Sequence, residues 1–197
     1  MAAADSNPFA TRFTRPGAME YLFPADCSAE TLIAKLRASG WWGQIIGPHG
    51  SGKSTLLAAL VPAIEAQGRR VVRFSLAEKQ RSLPAPSAVD APWNEQTQII
   101  VDGYEQLSWW SRLRLKARCR TAGAGLLVTA HTSVGLPDLF ATAPSLELAQ
   151  QVVQRLLPSG DAAIDTSDIA AAFDQQRGNL RETLFQLYDV YEQRRPR

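Results

Sequence analysis

The chain has 197 residues, long enough for one medium domain with its own core, and its formal charge of only +2 gives no electrostatic ground for a nucleic-acid or membrane partner. Its two cysteines, Cys27 and Cys119, have no Cys or His at zinc-ligand spacing, which excludes a metal knuckle and a disulfide framework. No apolar run is long enough to span a bilayer, and the start Met1-Ala-Ala-Ala-Asp-Ser-Asn-Pro lacks a charged-then-apolar secretory pattern, so the expected location is cytoplasmic.

Residues 1–25 carry Pro, Gly and Phe without a sustained period and read as an N-terminal arm. Ser28 can cap a helix whose Leu32, Ile33 and Leu36 form an apolar stripe and which Gly40 stops. The apolar run from Trp41 to Ile46 reads as a buried strand ending at a glycine-rich loop. Leu56, Leu57, Leu60, Val61 and Ile64 then repeat at helical spacing up to Gly68, with Pro62 expected to kink or shorten the helix. Further strands are expected at Arg70 to Ser75, Gln98 to Asp102 and Gly125 to Thr129, with a helix from about Ser108 to Thr121 and a Pro/Ala/Ser-rich loop from Leu83 to Pro92. Ser145 to Leu148 could be a last strand, and helical stripes fill the remainder. Gly178 ends the middle helix there, and Asn179 with Glu182 completes a capping box for the last one. The organisation expected is an arm over 1–25, an α/β domain over 26–148 and a helical lid over 149–197.

The strongest chemical signal is Gly47-Pro48-His49-Gly50-Ser51-Gly52-Lys53-Ser54, a full G-x-x-x-x-G-K-S match set between a strand and a helix start. The glycines let backbone amides turn inward around phosphate, and Lys53 brings a compact positive charge to the β and γ oxygens. Ser54 is the expected Mg²⁺ ligand, with Thr55 beside it at the start of the helix. The implied ligand is a nucleoside triphosphate, ATP with Mg²⁺. A second strand, Ile99-Ile100-Val101-Asp102, delivers a carboxylate at its C-terminal end, where α/β sheets bind ligands; Asp102 is expected to hold Mg²⁺ through water. Glu105 is the nearest carboxylate that could polarise an attacking water. A third strand ends at Thr129, with His131 just beyond, where a polar side chain can reach the γ-phosphate or that water.

With these parts in this order, the chain resembles the AAA+ division of P-loop ATPases over roughly residues 28–195, and in flavour the bacterial replication initiators and their regulatory relatives. Gly47 to Ser54 resembles Walker A, Ile99 to Asp102 Walker B, Thr129 a sensor-1 residue and Gly178-Asn179-Leu180-Arg181-Glu182 sensor 2. The resemblance implies a three-layer α/β/α parallel sheet of P-loop NTPase type with a small C-terminal helical lid. It also implies that Arg181 couples nucleotide state to the lid. Two departures stand out: Gly103 occupies the position after Asp102 where many hydrolysing relatives carry glutamate, and Leu136 to Pro144 contains no arginine finger. Arg155 could act in trans but reads as a solvated side chain.

The function expected is that of a slow Mg²⁺-dependent ATPase serving as a nucleotide-controlled switch for a protein partner. The alternatives are a regulatory module that holds ATP without hydrolysis and a small-molecule kinase; the loop from Leu83 to Pro92 has neither the arginine-rich lid nor the acceptor-binding acid of such kinases. No membrane partner is expected, and DNA binding has no helix-turn-helix signature behind it. Trp41-Trp42 and Trp109-Trp110 invite a partner-surface reading, but core packing is expected, one ring of each pair facing the sheet while its neighbour is partly exposed. Arg112, Arg114, Arg118 and Arg120 read as a solvated helix face, and Arg194, Arg195 and Arg197 as a frayed tail. Phe9, Arg12, Phe13 and Arg15 of the arm are expected to cover the adenine.

Overall fold

The computed structural model describes residues 7–84 and 91–194, so the middle of the Pro-rich loop, the first residues of the arm, and Arg195 and Arg197 lie outside the described residues. The fold is α/β, with five parallel strands in one sheet and seven α-helices among the described residues. No helix among the described residues is long and apolar enough to cross a membrane. The chain divides into two compact units, a sheet unit of residues 23–47 and 57–141 and a loop-and-lid unit of residues 1–22, 48–56 and 142–197.

In chain order the elements are α1 Thr11–Thr14, α2 Ala29–Ala38, β1 Trp42–Ile46, α3 Lys53–Glu65, β2 Arg70–Ser75, β3 Thr97–Asp102, α4 Trp109–Ala122, β4 Gly125–Ala130, β5 Asp138–Ala141, α5 Leu146–Leu156, α6 Thr166–Gln175 and α7 Leu180–Arg194. The sheet order is β2-β3-β4-β1-β5. β3 and β4 are buried along almost their whole length, as continuous apolar runs in a parallel sheet must be. Ile99, Val101, Leu126 and Val128 pack with Tyr104, Leu107, Leu115 and Cys119 into one core cluster. Ser28 starts α2 with a full capping box, its hydroxyl accepting from the Thr31 amide at 3.2 Å while its own amide donates to Thr31 Oγ1 at 2.9 Å.

The loop-and-lid unit has a separate core in which Val152, Val153, Ile169, Leu184 and Leu187 meet Phe9 of the arm. The lid helices start on side-chain caps at Ser145 and Asp165. Asn179 caps α7 by accepting from the Glu182 amide at 3.2 Å. The expected return bond of that box is not made, because the Asn179 amide donates instead to Gln176 O at 2.9 Å in the turn after α6.

Three expectations are corrected. Ser145 to Leu148 is not a strand: Ser145 Oγ accepts from the Leu148 amide at 3.2 Å, which starts α5 there. The last strand is β5, whose Asp138 is fixed by Gln44 Nε2 of β1 at 2.5 Å. Pro62 does not shorten α3, which continues to Glu65. Finally, neither Trp109 nor Trp110 faces the sheet. The side of α4 carrying Leu115 and Cys119 is buried, and both rings, 65% exposed and 4.5 Å apart edge to face, lie off that side.

Candidate functional site

In the sheet unit, parallel pairing brings the C-terminal ends of β1, β3 and β4 to one edge. Ile45 of β1 is level with Thr129 of β4, and the Gly47 amide, first of the glycine-rich loop, donates to Ala130 O at 3.2 Å. Asp102 ends β3 on that edge. Thr129 Oγ1 donates to Asp102 Oδ1 at 2.7 Å and accepts from the Gly103 amide at 2.9 Å, so this buried hydroxyl fixes the carboxylate and the turn after it together. Gly103 is left-handed at φ 83°, and a Cβ there would come within 3.2 Å of Leu76 O, which accounts for glycine at this position in place of glutamate.

The left-handed turn at Gly103 leads into a 3₁₀ turn, Tyr104–Gln106, that carries Glu105. Glu105 Oε1 lies 3.4 Å from His131 Nδ1, while its other carboxylate oxygen is buried without a hydrogen-bond partner. Arg112 fixes the backbone of the turn by donating to Glu105 O at 2.7 Å. Arg73 Nη2, on the edge strand β2, lies 3.4 Å from Asp102 Oδ2. Asp102, Thr129, Glu105 and His131 therefore gather at one sheet edge, and Arg73 joins them although nothing in the sequence motif singled it out.

In the loop-and-lid unit, Pro48 O is the hub of the loop. It accepts from Lys53 Nζ at 2.6 Å and from Ser51 Oγ at 2.8 Å, and Ser51 Oγ is also 2.6 Å from Thr142 Oγ1. Gly50 and Gly52 have φ of 67° and 89°, values that suit glycine, and a Cβ on Gly50 would collide with the Asn179 side-chain oxygen and lie 3.2 Å from Arg181 Cβ. The start of α7 is thus against the loop. Lys53, Ser54 and Thr55 form the first turn of α3, which holds no acid to repel an anion. His49 sits exposed on the loop.

The arm behaves differently from expectation. Phe9 is fully buried against Tyr191, at 5.9 Å between ring centroids, and is a core residue that cannot cover a base. Arg12 lies over the Phe13 ring at 4.8 Å, and Arg15 is exposed. The arm residue beside the loop is Tyr21, whose ring would be 3.7 Å from a Cβ on Gly52. Arg155 pairs with Glu20 of the arm at 3.2 Å, and Arg194, far from fraying, donates to Asp168 Oδ1 at 2.8 Å. No protein-family model matches this chain, and no curated protein matches its sequence.

Proposed function

We propose that the chain is an ATP-binding P-loop protein of the AAA+-like kind, with a three-layer α/β/α sheet, and that it works as a slow Mg²⁺-dependent ATPase whose nucleotide state is read by a protein partner. One observation carries the reading: β1 leads in sequence directly into Gly47–Ser54, and the parallel strands paired in its sheet bring Asp102 and Thr129 to their own C-terminal ends. The residues present fit the ligand. Lys53 already satisfies its ammonium on Pro48 O, and triphosphate oxygens are stronger acceptors for that charge than a carbonyl. Ser54 and Asp102 would hold the metal, which neutralises phosphate charge when bound. Glu105, with one buried carboxylate oxygen lacking a partner, has the acceptor capacity to orient a water, and His131 steadies the other oxygen.

The switch reading follows from the contacts of the loop. Within one compact unit, Gly50 is against Asn179 and Arg181 of the lid and Gly52 faces Tyr21 of the arm. A phosphate filling the loop would act on both neighbours at once, and Arg181 would report the γ-phosphate to α7. A second reading, a module that holds ATP without turning it over, is favoured by the Asp102 carboxylate, which already has Thr129 on one oxygen and Arg73 near the other. A kinase reading has no acceptor site among the described residues to favour it.

The test is phosphate release from ATP and GTP by wild type and Glu105→Gln, with nucleotide affinity measured for both and for Lys53→Ala. The expected result is an affinity at least about a hundredfold weaker in Lys53→Ala, and turnover lost with binding intact in Glu105→Gln. Unchanged affinity in Lys53→Ala would sink the reading, whereas tight binding without turnover in wild type would select the holding module.

A further inference from the structure

On its outward side α4 carries the two most exposed large apolar side chains among the described residues. The helix buries Leu115 and Cys119, and Trp110, Leu113 and Ala117 form a line on the opposite side, at i, i+3 and i+7, with Trp109 beside its first member. Trp109 and Trp110 are each 65% exposed and Leu113 47%. Bases border the line on both sides, Lys116 and Arg120 on one and Arg114 and Arg118 on the other, and α4 contains no acid.

None of the α4 bases meets a carboxylate among the described residues. Arg112 donates to Leu107 O at 2.9 Å and Glu105 O at 2.7 Å, and Lys116 donates to Val134 O at 3.3 Å. Arg118 lies over the Trp93 ring at 3.7 Å and Arg120 over Trp42 at 5.3 Å. Burial, and after it the charges of Arg120 and Arg112, hold the Lys116 ammonium below its ordinary pKa. The chain-wide charge of +2 averages this concentration away.

We propose that this face of α4 docks onto an anionic lipid surface, with Trp109, Trp110 and Leu113 entering the headgroup boundary and the positive field of the flanking bases drawing it to lipid phosphates. Charge complementarity requires a negative partner. It opposes a second copy related by a two-fold axis, which would set one all-basic helix against another. The shape is a ridge, not a groove, and an apolar line bordered by bases on a helix ridge is the form that lies in a bilayer interface. Tryptophan suits that depth because its ring is apolar and its N–H stays hydrated. A single-stranded nucleic acid could stack on the tryptophans but offers nothing to the aliphatic Leu113 and Ala117 that continue the line, whereas a headgroup boundary takes the whole of it. The apolar patch is small, so the docking is reversible and salt-sensitive.

The experiment sediments the full chain with phosphatidylcholine vesicles made with and without phosphatidylglycerol, beside Trp109→Ser/Trp110→Ser and Arg114→Glu. Because these side chains are exposed, the variants keep the wild-type circular dichroism and thermal midpoint. The expected result is binding at low salt that is about tenfold stronger to the phosphatidylglycerol vesicles, lost in high salt, and weakened about tenfold by the double substitution. Arg114→Glu weakens binding to the anionic vesicles alone. No partition onto phosphatidylglycerol vesicles, or equal partition of the double variant, overturns the proposal. So does capture of a single-stranded oligonucleotide or an acidic polypeptide by a chain that ignores the vesicles. The proposal stands or falls independently of nucleotide binding.

Discussion

The sheet unit and the loop-and-lid unit hold their functional side chains by opposite means. At the sheet edge, Asp102 is fixed by a buried hydroxyl that also grips the next turn, at the ends of two paired parallel strands. In the other unit, Lys53 and Ser51 share a single carbonyl, and the lid approaches through the missing side chain of Gly50. The first arrangement is preorganised. The second consists of bonds that a better acceptor can exchange. The proposed nucleotide switch would use both kinds, one to keep a metal position constant and one to let the phosphate position speak to the lid.

The largest expected effect separates the two cores by pH. Burial pushes the Cys119 thiol up from its ordinary 9.0 to about 12 and the Tyr104 hydroxyl from 10.0 to about 12, both within the sheet unit. Below pH 9 both groups are protonated whether the chain is folded or not, and their contribution is constant. Above it the unfolded chain gives up protons that the folded chain retains, so stability falls as pH rises toward about 12. In the lid, the Ser167 hydroxyl holds the Asp165 carboxyl below its ordinary value and the Arg194 guanidinium does the same for Asp168, so neither contributes to an alkaline slope. Urea denaturation followed by hydrogen exchange should therefore show β3, β4 and α4 losing protection first, by a few kcal/mol overall. Cys119→Ala with Tyr104→Phe should flatten the slope; a slope unchanged in that variant would refute the account.

Next in size is Gly50→Ala. A positive φ and a collision with Asn179 together should cost about 2–4 kcal/mol, read as a lowered urea midpoint. Asn179→Ala in the same chain should return the steric part, leaving the backbone strain alone. If the cost of Gly50→Ala is the same with and without Asn179, the lid is not held against the loop and the contrast between the units fails.

The glycine-rich loop and Asp102 could be read from the sequence because each follows an apolar strand whose run and end are local signals. Thr129 could be read for the same reason. Arg73 could not, since it meets Asp102 only through the register that pairs Ser75 with Asp102 on neighbouring strands. The Glu105–His131 pair likewise depends on two chain segments brought to one edge. β5 escaped because Asp138–Ala141 is short and carries only one buried residue, and Ser145-Leu-Glu-Leu148 offered a cleaner alternation that its cap turned into helix. The tryptophans of α4 defy the expectation of burial because a pair of large apolar residues signals burial by composition, while helix phase, set by Leu115 and Cys119, decides the matter.

Thr129→Val gives the smallest of these effects and the sharpest test of the sheet edge. Valine matches threonine in shape, so the packing around this buried residue survives, but the Asp102 carboxylate loses a donor and the Gly103 amide an acceptor. An unpaired amide beside a half-satisfied carboxylate should cost about 2 kcal/mol, whereas Thr129→Ser keeps both bonds and should cost about half as much for the lost methyl group. Nucleotide affinity adds the functional half of the test. If Asp102 holds the metal, loosening it should weaken binding in the presence of Mg²⁺ more than binding in chelator, and Thr129→Ser should restore the difference. Equal affinities for all three chains, with the stability loss intact, would mean that Thr129 serves the turn at Gly103 alone and that the metal position must be sought elsewhere.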